Sequence, residues 1–525
     1  MASLLLSGAA SAQDGAAARP EGSGALSLLD GRFVFGPPIS KKGDHLVVHF
    51  KHGDVDVPLS QVRDWFSTTV TGEDYEPKDD DEKAKLAKGL IPFNGQWMSR
   101  SSAERQVTRM MEKRQEAIEE QKERREWRNA KEVKTRYFDY KHNLPDETFD
   151  KFRDLVDVFY ETFLSYWKLR PTRKEKCQIY LYSNRLDFEQ LSGAGPGVLG
   201  FYVPNNHTMH YYLDRSDIDF TIAILFHELN HVMVGMTSGR FDYPDWLEES
   251  LAEFYGASRY NPDAKNKKDK LTMGHLQAAR LMVVQSEAKR DEWVTLKSMI
   301  EKPDFAAREY AWGWTFVHYL LTNPKYCDNF KKLYKDLAHG RGIKRVPSPF
   351  GGGKVTIEPD YAKEILCKRL GVESLDKLEE EWKEYLQKLE VQDLQGLEQA
   401  ATYPLYFGRA QAKAREMLEK AVSMGAKLSK TYATYAKLLD RKSEKEKALE
   451  MIDRAIAIDP LEPPYYYAKA KLLDRVKGKA ARKDILRTLQ LAEEMDPEDL
   501  EILTEIEVQK ILLEREQGAA AGSGG

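Results

Sequence analysis

One stretch limits what the rest of the chain can be. Residues 216–235 read Ser-Asp-Ile-Asp-Phe-Thr-Ile-Ala-Ile-Leu-Phe-His-Glu-Leu-Asn-His-Val-Met-Val-Gly. Ser216 with Asp219 three residues later has the form of a capping box, and Gly235 offers a stop, so the spacing predicts a helix between them. That helix is apolar almost all round, and such a helix belongs in a core. A buried imidazole or carboxylate is costly unless it is paired or binds a metal, yet His227, Glu228 and His231 occur here together. Residues i and i+4 share a helix face, so the two histidines can offer nitrogens to one ion, while Glu228 can reach a water held there. The pattern is His-Glu-x-x-His, and it needs a third ligand.

Downstream, Pro244-Asp-Trp-Leu-Glu-Glu-Ser-Leu-Ala-Glu-Phe-Tyr255 reads as a second helix, opening after a proline and carrying Glu248, Glu249 and Glu253. At 3.6 residues per turn Glu249 and Glu253 share a face, and Glu248 points about 100° away from Glu249, which predicts a solvated side chain. The two segments together resemble the gluzincin metallopeptidases, whose second helix supplies a glutamate from a stretch like Trp-Leu-x-Glu-Gly-x-Ala-x-Tyr. Trp246, Leu247 and Ala252 match it, Glu249 falls on the zinc-binding glutamate, and Ser250 stands where the aminopeptidase-N branch has Gly. Seventeen residues separate His231 from Glu249, one fewer than in that branch.

The resemblance implies Zn²⁺ held by His227, His231 and Glu249, with Glu228 as general base and Glu253 steadying a ligand histidine from outside. In Glu309-Tyr-Ala-Trp-Gly-Trp, Tyr310 and Gly313 match the Tyr-x-x-Gly helix whose tyrosine stabilises the oxyanion in aminopeptidase-N-type gluzincins. The Gly-Ala-Met-Glu-Asn stretch that holds a substrate amino terminus is absent, and Gly193-Ala-Gly-Pro-Gly-Val-Leu-Gly200 occupies its region, which disfavours a dedicated aminopeptidase. His207 and His210 are expected to be ordinary strand histidines. Residues 133–390 as a whole look like the bacterial peptidase MA-like domains, many of them domains of unknown function, which pair this core with tetratricopeptide repeats.

The repeats are legible here too. Ala436-Lys-Leu-Leu-Asp-Arg441 recurs at 470–475, an offset of 34, and Ala421 and Ala455 keep that spacing. A 34-residue helix–turn–helix period resembles the tetratricopeptide repeat and implies a helical solenoid that recruits a protein partner or substrate.

The expected fold class is α+β, with a small mixed sheet plus helices as a zincin core, an α-helical solenoid after it and a small N-terminal β module before it. Residues 1–27 read as a disordered leader, 28–70 as the β module and 71–132 as a charged linker and a long exposed helix over 101–133. The metallopeptidase-like domain takes 133–395, the repeats 405–515 and a disordered tail 516–525. Within the central domain Arg136–Tyr140 and Gln178–Tyr182 read as strands, 146–167 as a helix, and 200–213 as a hairpin turning at Pro204-Asn205-Asn206.

With 80 Lys+Arg against 84 Asp+Glu the charge is too balanced for a nucleic-acid binder. No window reaches the length of a membrane-spanning helix, and Cys177, Cys327 and Cys367 lack metal or disulfide spacing. Ala10-Ser11-Ala12 after a short apolar run reads as the tail of a signal peptide and predicts export, periplasmic or extracellular, with a cytoplasmic protein as the alternative. The rival reading of function is a non-catalytic protein-binding scaffold on the same core, against which the intact Glu228 speaks.

Overall fold

The computed structural model describes residues 24–522 apart from 31, 68–76, 94–95, 196–197, 215–217, 350 and 402–406. Most of the expected leader and the Ser216 cap therefore lie outside the described residues. The chain divides into two compact units, residues 1–118 with 452–525, and residues 119–451. None of the described helices is long and apolar enough to cross a membrane. The fold is α+β.

In the first unit, strands β1 (Gly24–Leu28), β2 (Phe33–Phe35), β3 (Ile39–Lys42), β4 (His45–Phe50), β5 (Gly53–Pro58) and β6 (Val62–Ser67) form two three-stranded sheets ordered β2-β1-β6 and β3-β4-β5. In β5 Val55 and Val57 are buried while Asp54 and Asp56 are exposed, the alternation expected of a half-buried strand. Gly24 to Ser27, read as leader, belong to β1. The supposed linker holds helix α1 (Asp80–Ala87), capped by the Asp79 side chain, and hairpin β7 (Leu90–Phe93) with β8 (Gln96–Ser99). Helix α2 (Arg100–Arg124) is shorter than expected. Its extension stops because Trp127 leaves the helical path to stack on Tyr182 at 4.2 Å between centroids.

Three helices from the far end of the chain complete this unit, Pro463–Lys477, Arg482–Met495 and Leu500–Gly522. The last runs through the segment read as a disordered tail, since Ala519 to Ala521 are good helix formers. Arg32 pairs with Asp459 at 2.9 Å and Glu462 at 3.2 Å, and Glu494 accepts from the backbone of Lys51 and His52. The β module and the end of the repeat region are thus one body.

The recurring letters fall on equivalent places in their helices. Ala436, Leu438 and Leu439 are buried, as are Ala470, Leu472 and Leu473. The same bond also recurs at the offset of 34: the Tyr432 hydroxyl donates to the Ala426 carbonyl at 3.0 Å, and the Tyr466 hydroxyl to the Pro460 carbonyl at 2.8 Å.

The second unit is built on a five-stranded mixed sheet, β9 (Lys131–Lys134), β10 (Asp139–His142), β11 (Gln178–Tyr182), β12 (Gly200–Val203) and β13 (Thr208–Tyr212), ordered β12-β13-β11-β10-β9. Strands β10, β11 and β13 run parallel, and β12 is an antiparallel edge. Of the stretch Arg136–Tyr140, Asp139 and Tyr140 belong to β10, while residues 136–138 form the turn before it, across which Thr135 and Phe138 hydrogen-bond. Helix α3 (Asp146–Trp167), short α4 (Arg185–Ser192), α5 (Ile218–Thr237), α6 (Asp245–Gly256), α7 (Ala278–Lys289), α8 (Leu296–Glu301) and α9 (Ala307–Thr322) follow. Phe159 of α3 stacks on Phe226 of α5 at 5.3 Å and meets Tyr255 of α6 edge-on at 5.2 Å, so α3, α5 and α6 share one aromatic core.

Two glycines set how closely the elements approach. Gly235 does not end α5, which continues to Thr237; it lies under the Tyr202 hydroxyl of β12, where any side chain would collide. Gly313 of α9 likewise faces Ser250 of α6, whose hydroxyl would meet an added Cβ. Gly313→Ala should therefore destabilise the protein by roughly 1–3 kcal/mol through overpacking. Ser250→Gly in the same chain should return part of that loss, measured by urea unfolding.

Candidate metal centre

Helices α5 and α6 cross so that His227, His231 and Glu249 converge. One ligand atom from each lies within 4.8 Å of the others. Glu249 Oε2 is 3.3 Å from His227 Nε2 and 3.5 Å from His231 Nε2, and the two nitrogens are 3.4 Å apart. Ligand bonds of 2.0–2.1 Å around a tetrahedral ion place neighbouring donor atoms about 3.3 Å apart. Glu249 Oε2 is also buried and accepts no hydrogen bond, an omission that a bound cation would explain. The residues present fit zinc.

The outer nitrogens of both histidines are held by carboxylates. His227 Nδ1 lies 3.3 Å from Glu253 Oε1, and His231 Nδ1 lies 2.8 Å from Glu248 Oε1. With each Nδ1 proton given to a carboxylate, each Nε2 turns its lone pair toward the common centre. Glu253 thus stands where the resemblance put it. Glu248 does not point into solvent as its place on the helical wheel predicted. The wheel fixes direction only within one helix, and where α5 crosses α6 His231 comes within reach of the turn that carries Glu248.

Sequence reasoning missed the residues behind Glu253. Arg280 of α7 brackets that carboxylate, Nη2 to Oε1 at 2.7 Å and Nε to Oε2 at 2.9 Å, and Gln277 Nε2 donates to its other flank at 3.3 Å. A signal was available, since Ala278-Ala-Arg-Leu-Met282 sets a lone arginine in an apolar run and a buried guanidinium needs a partner. Asp245 at the start of α6 accepts from the Phe305 backbone at 3.2 Å; burial chiefly, then Glu249, lifts its carboxyl to about 6.

Glu228 is buried beside edge strand β12, where the absence of a side chain at Gly200 makes room for it. Burial raises its pKa above the usual carboxylate range, against the pull of His227 and His231. The Tyr310 ring lies 6.1 Å from that of His227 in an edge-on arrangement. Burial, followed by the charge of Glu249, keeps its hydroxyl protonated. His207 and His210 stay out of the centre: His207 contacts the Tyr202 hydroxyl at 2.6 Å, and His210 is stacked between Tyr180 and Phe201.

Burial opposes charge on His227, but Glu249 and Glu253 overcome it and raise the imidazole to about 9, and His231 is raised in the same sense by Glu249 and Glu248. The charges of His231 and His227 hold Glu249 well below the carboxylate range in spite of burial.

Residues 221–342, from α5 through α9 and the helix after it, match the model of a family described as "Protein of unknown function (DUF1570)". No curated protein matches the chain. A solved structure titled "Assembly Chaperone of RpL4 (Acl4) (Residues 1-338)" aligns at 14% identity over 47% of this chain and 87% of that one. Its TM-score of 0.22 carries no argument about this protein.

Two outcomes follow from the geometry. In a chelator competition titration Glu249→Ala should weaken zinc binding most, while Glu248→Ala and Glu253→Ala should each cost roughly 10–100-fold, as the loss of a carboxylate behind a ligand histidine does. A Glu248→Ala protein that binds zinc like wild type would show that its contact with His231 is idle. Protons and a divalent ion also compete for the same nitrogens. The folded pKa of His227, about 9, lies above its ordinary 6.5, so in chelator-treated protein its charge stabilises the fold below about pH 6.5. That contribution is lost as pH rises through about 9. Zinc binding near neutrality should therefore release protons and weaken as pH falls, read by calorimetry in two buffers of different ionisation enthalpy.

Proposed function

We propose that this protein is a zinc-dependent metallopeptidase of the gluzincin kind, hydrolysing peptide bonds through a metal-activated water, with its tetratricopeptide-like helices recruiting a protein partner or substrate. The observation that carries the reading is the triangle of His227 Nε2, His231 Nε2 and Glu249 Oε2, 3.3 to 3.5 Å on each side, with Glu228 on the same helix. Zinc held there would polarise a substrate carbonyl and acidify a water. Glu228, on the same helix, would serve as the general base toward a water bound there and return its proton to the leaving nitrogen. Tyr310 donates its hydroxyl proton in a hydrogen bond to the oxygen that gains negative charge.

The edge strand β12 supports an extended substrate. Its other side pairs with no strand among the described residues, and it runs past Glu228, so a peptide can add to it by main-chain hydrogen bonds. A second reading, a non-catalytic binding protein, draws on the share of the chain given to the β module and the repeat-like helices, outside the sheet and helices that carry the centre. A centre kept only for structure has no need of Glu228.

One comparison separates the two readings. Glu228→Gln should keep about one zinc per chain while losing roughly 10²–10⁴-fold in peptide hydrolysis, and His231→Ala should lose the metal itself. Equal activity in Glu228→Gln and wild type would leave only the binding reading.

A further inference from the structure

Arg280 stands outside everything assigned so far. It sits on α7, its side chain is 6% exposed, and the Glu253 side chain it meets is also 6% exposed. Placing a guanidinium in such a core is costly unless its donors are matched in full. Two of its five N–H donors form a fork: Nη2 and Nε each take one oxygen of Glu253, at 2.7 and 2.9 Å. The paired contact fixes the plane of the carboxylate as well as its position, which a single hydrogen bond would not do. The oxygen nearer His227 Nδ1, Oε1, is the one that Nη2 grips. The same guanidinium lies over the ring of Tyr310, 5.8 Å from its centroid. Tyr310 in turn meets His227 edge-on.

We propose that Arg280 is a positioning residue of the metal centre: by bracketing Glu253 and lying over the Tyr310 ring, it orients His227 toward the ion and Tyr310 beside it. The proposal rests on the metallopeptidase reading and adds to it one cation, on the helix after the two that carry the ligands, that sets two of the groups at once. A purely structural arginine would need only to neutralise Glu253. A positioning arginine needs the fork, and lysine cannot supply it, because a single ammonium is a point charge on a flexible stem.

The test uses the full chain and reads zinc affinity by competition with a chromophoric chelator, the visible spectrum of the cobalt(II)-substituted protein, and the melting temperature of the chelator-treated protein. Arg280→Met should weaken zinc roughly 10–100-fold, the usual cost of losing support behind a ligand histidine, and should alter the cobalt bands as His227 turns. Arg280→Lys should keep most of the melting temperature yet recover only part of the affinity, and it decides the question if Arg280→Met does not fold. In the background of Glu253→Gln, where the fork has lost one charged arm, Arg280→Met should add little further loss, since the two residues act as one unit. A lowered melting temperature with unchanged zinc affinity and cobalt spectrum in both Arg280 variants would overturn the proposal while leaving the metal centre standing. Full additivity with Glu253→Gln would overturn it in the same way. Failure of the wild-type protein to take up zinc would remove both.

Discussion

The second unit is organised around one electrostatic problem, the crowding of two imidazoles and the carboxylates of Glu228, Glu248, Glu249 and Glu253 where α5 and α6 meet in a largely apolar core. No one of these groups is tolerable there alone. Together they alternate in sign: Glu248 against His231, Glu249 between the two rings, Glu253 between His227 and Arg280. A divalent ion that displaces one proton from each imidazolium leaves the total charge of this set unchanged. The same arrangement therefore suits either occupant, and the competition between them is one of pH.

Such a set works only if the elements that carry it are held at short range. Gly235 lets the Tyr202 hydroxyl of β12 rest on α5, Gly200 makes room for the Glu228 side chain, and Gly313 admits Ser250 between α6 and α9. Each is a place where a missing side chain converts packing distance into site geometry, so the chemistry and the close packing of this unit are one constraint.

How much of this could be read in advance depended on whether the information was local. The His-Glu-x-x-His pair was legible because helical spacing relates residues on one face, Glu249 and Glu253 were singled out by the resemblance of the second helix to the gluzincins, and β11, α3 and the β12–β13 hairpin declared themselves by alternation and turn residues. Glu248 was misplaced because its partner, His231, sits on a different helix. Arg280 went unread although a solitary arginine among apolar neighbours implies a buried counter-charge. The strand expected at Arg136–Tyr140 begins only at Asp139, because a short turn bonds to itself before it, and the pairing of Arg32 with Asp459 spans 427 residues, beyond any pattern of local period.

That last pairing bears on how the chain is made. The unit formed by residues 119–451 is contiguous, so during synthesis it can close as soon as it has left the ribosome. The other unit cannot do the same, for the helices on which its sheets rest are translated only after the central unit. The N-terminal strands must wait through the whole of the central unit with their faces uncovered, and unpaired edges of that kind are sites of aggregation. The charged residues Asp54, Asp56, Lys41 and Lys42 along β3 and β5 are exposed, and they guard those strands during the interval. Vectorial synthesis thus makes strands that emerge before the central unit find their place only after it.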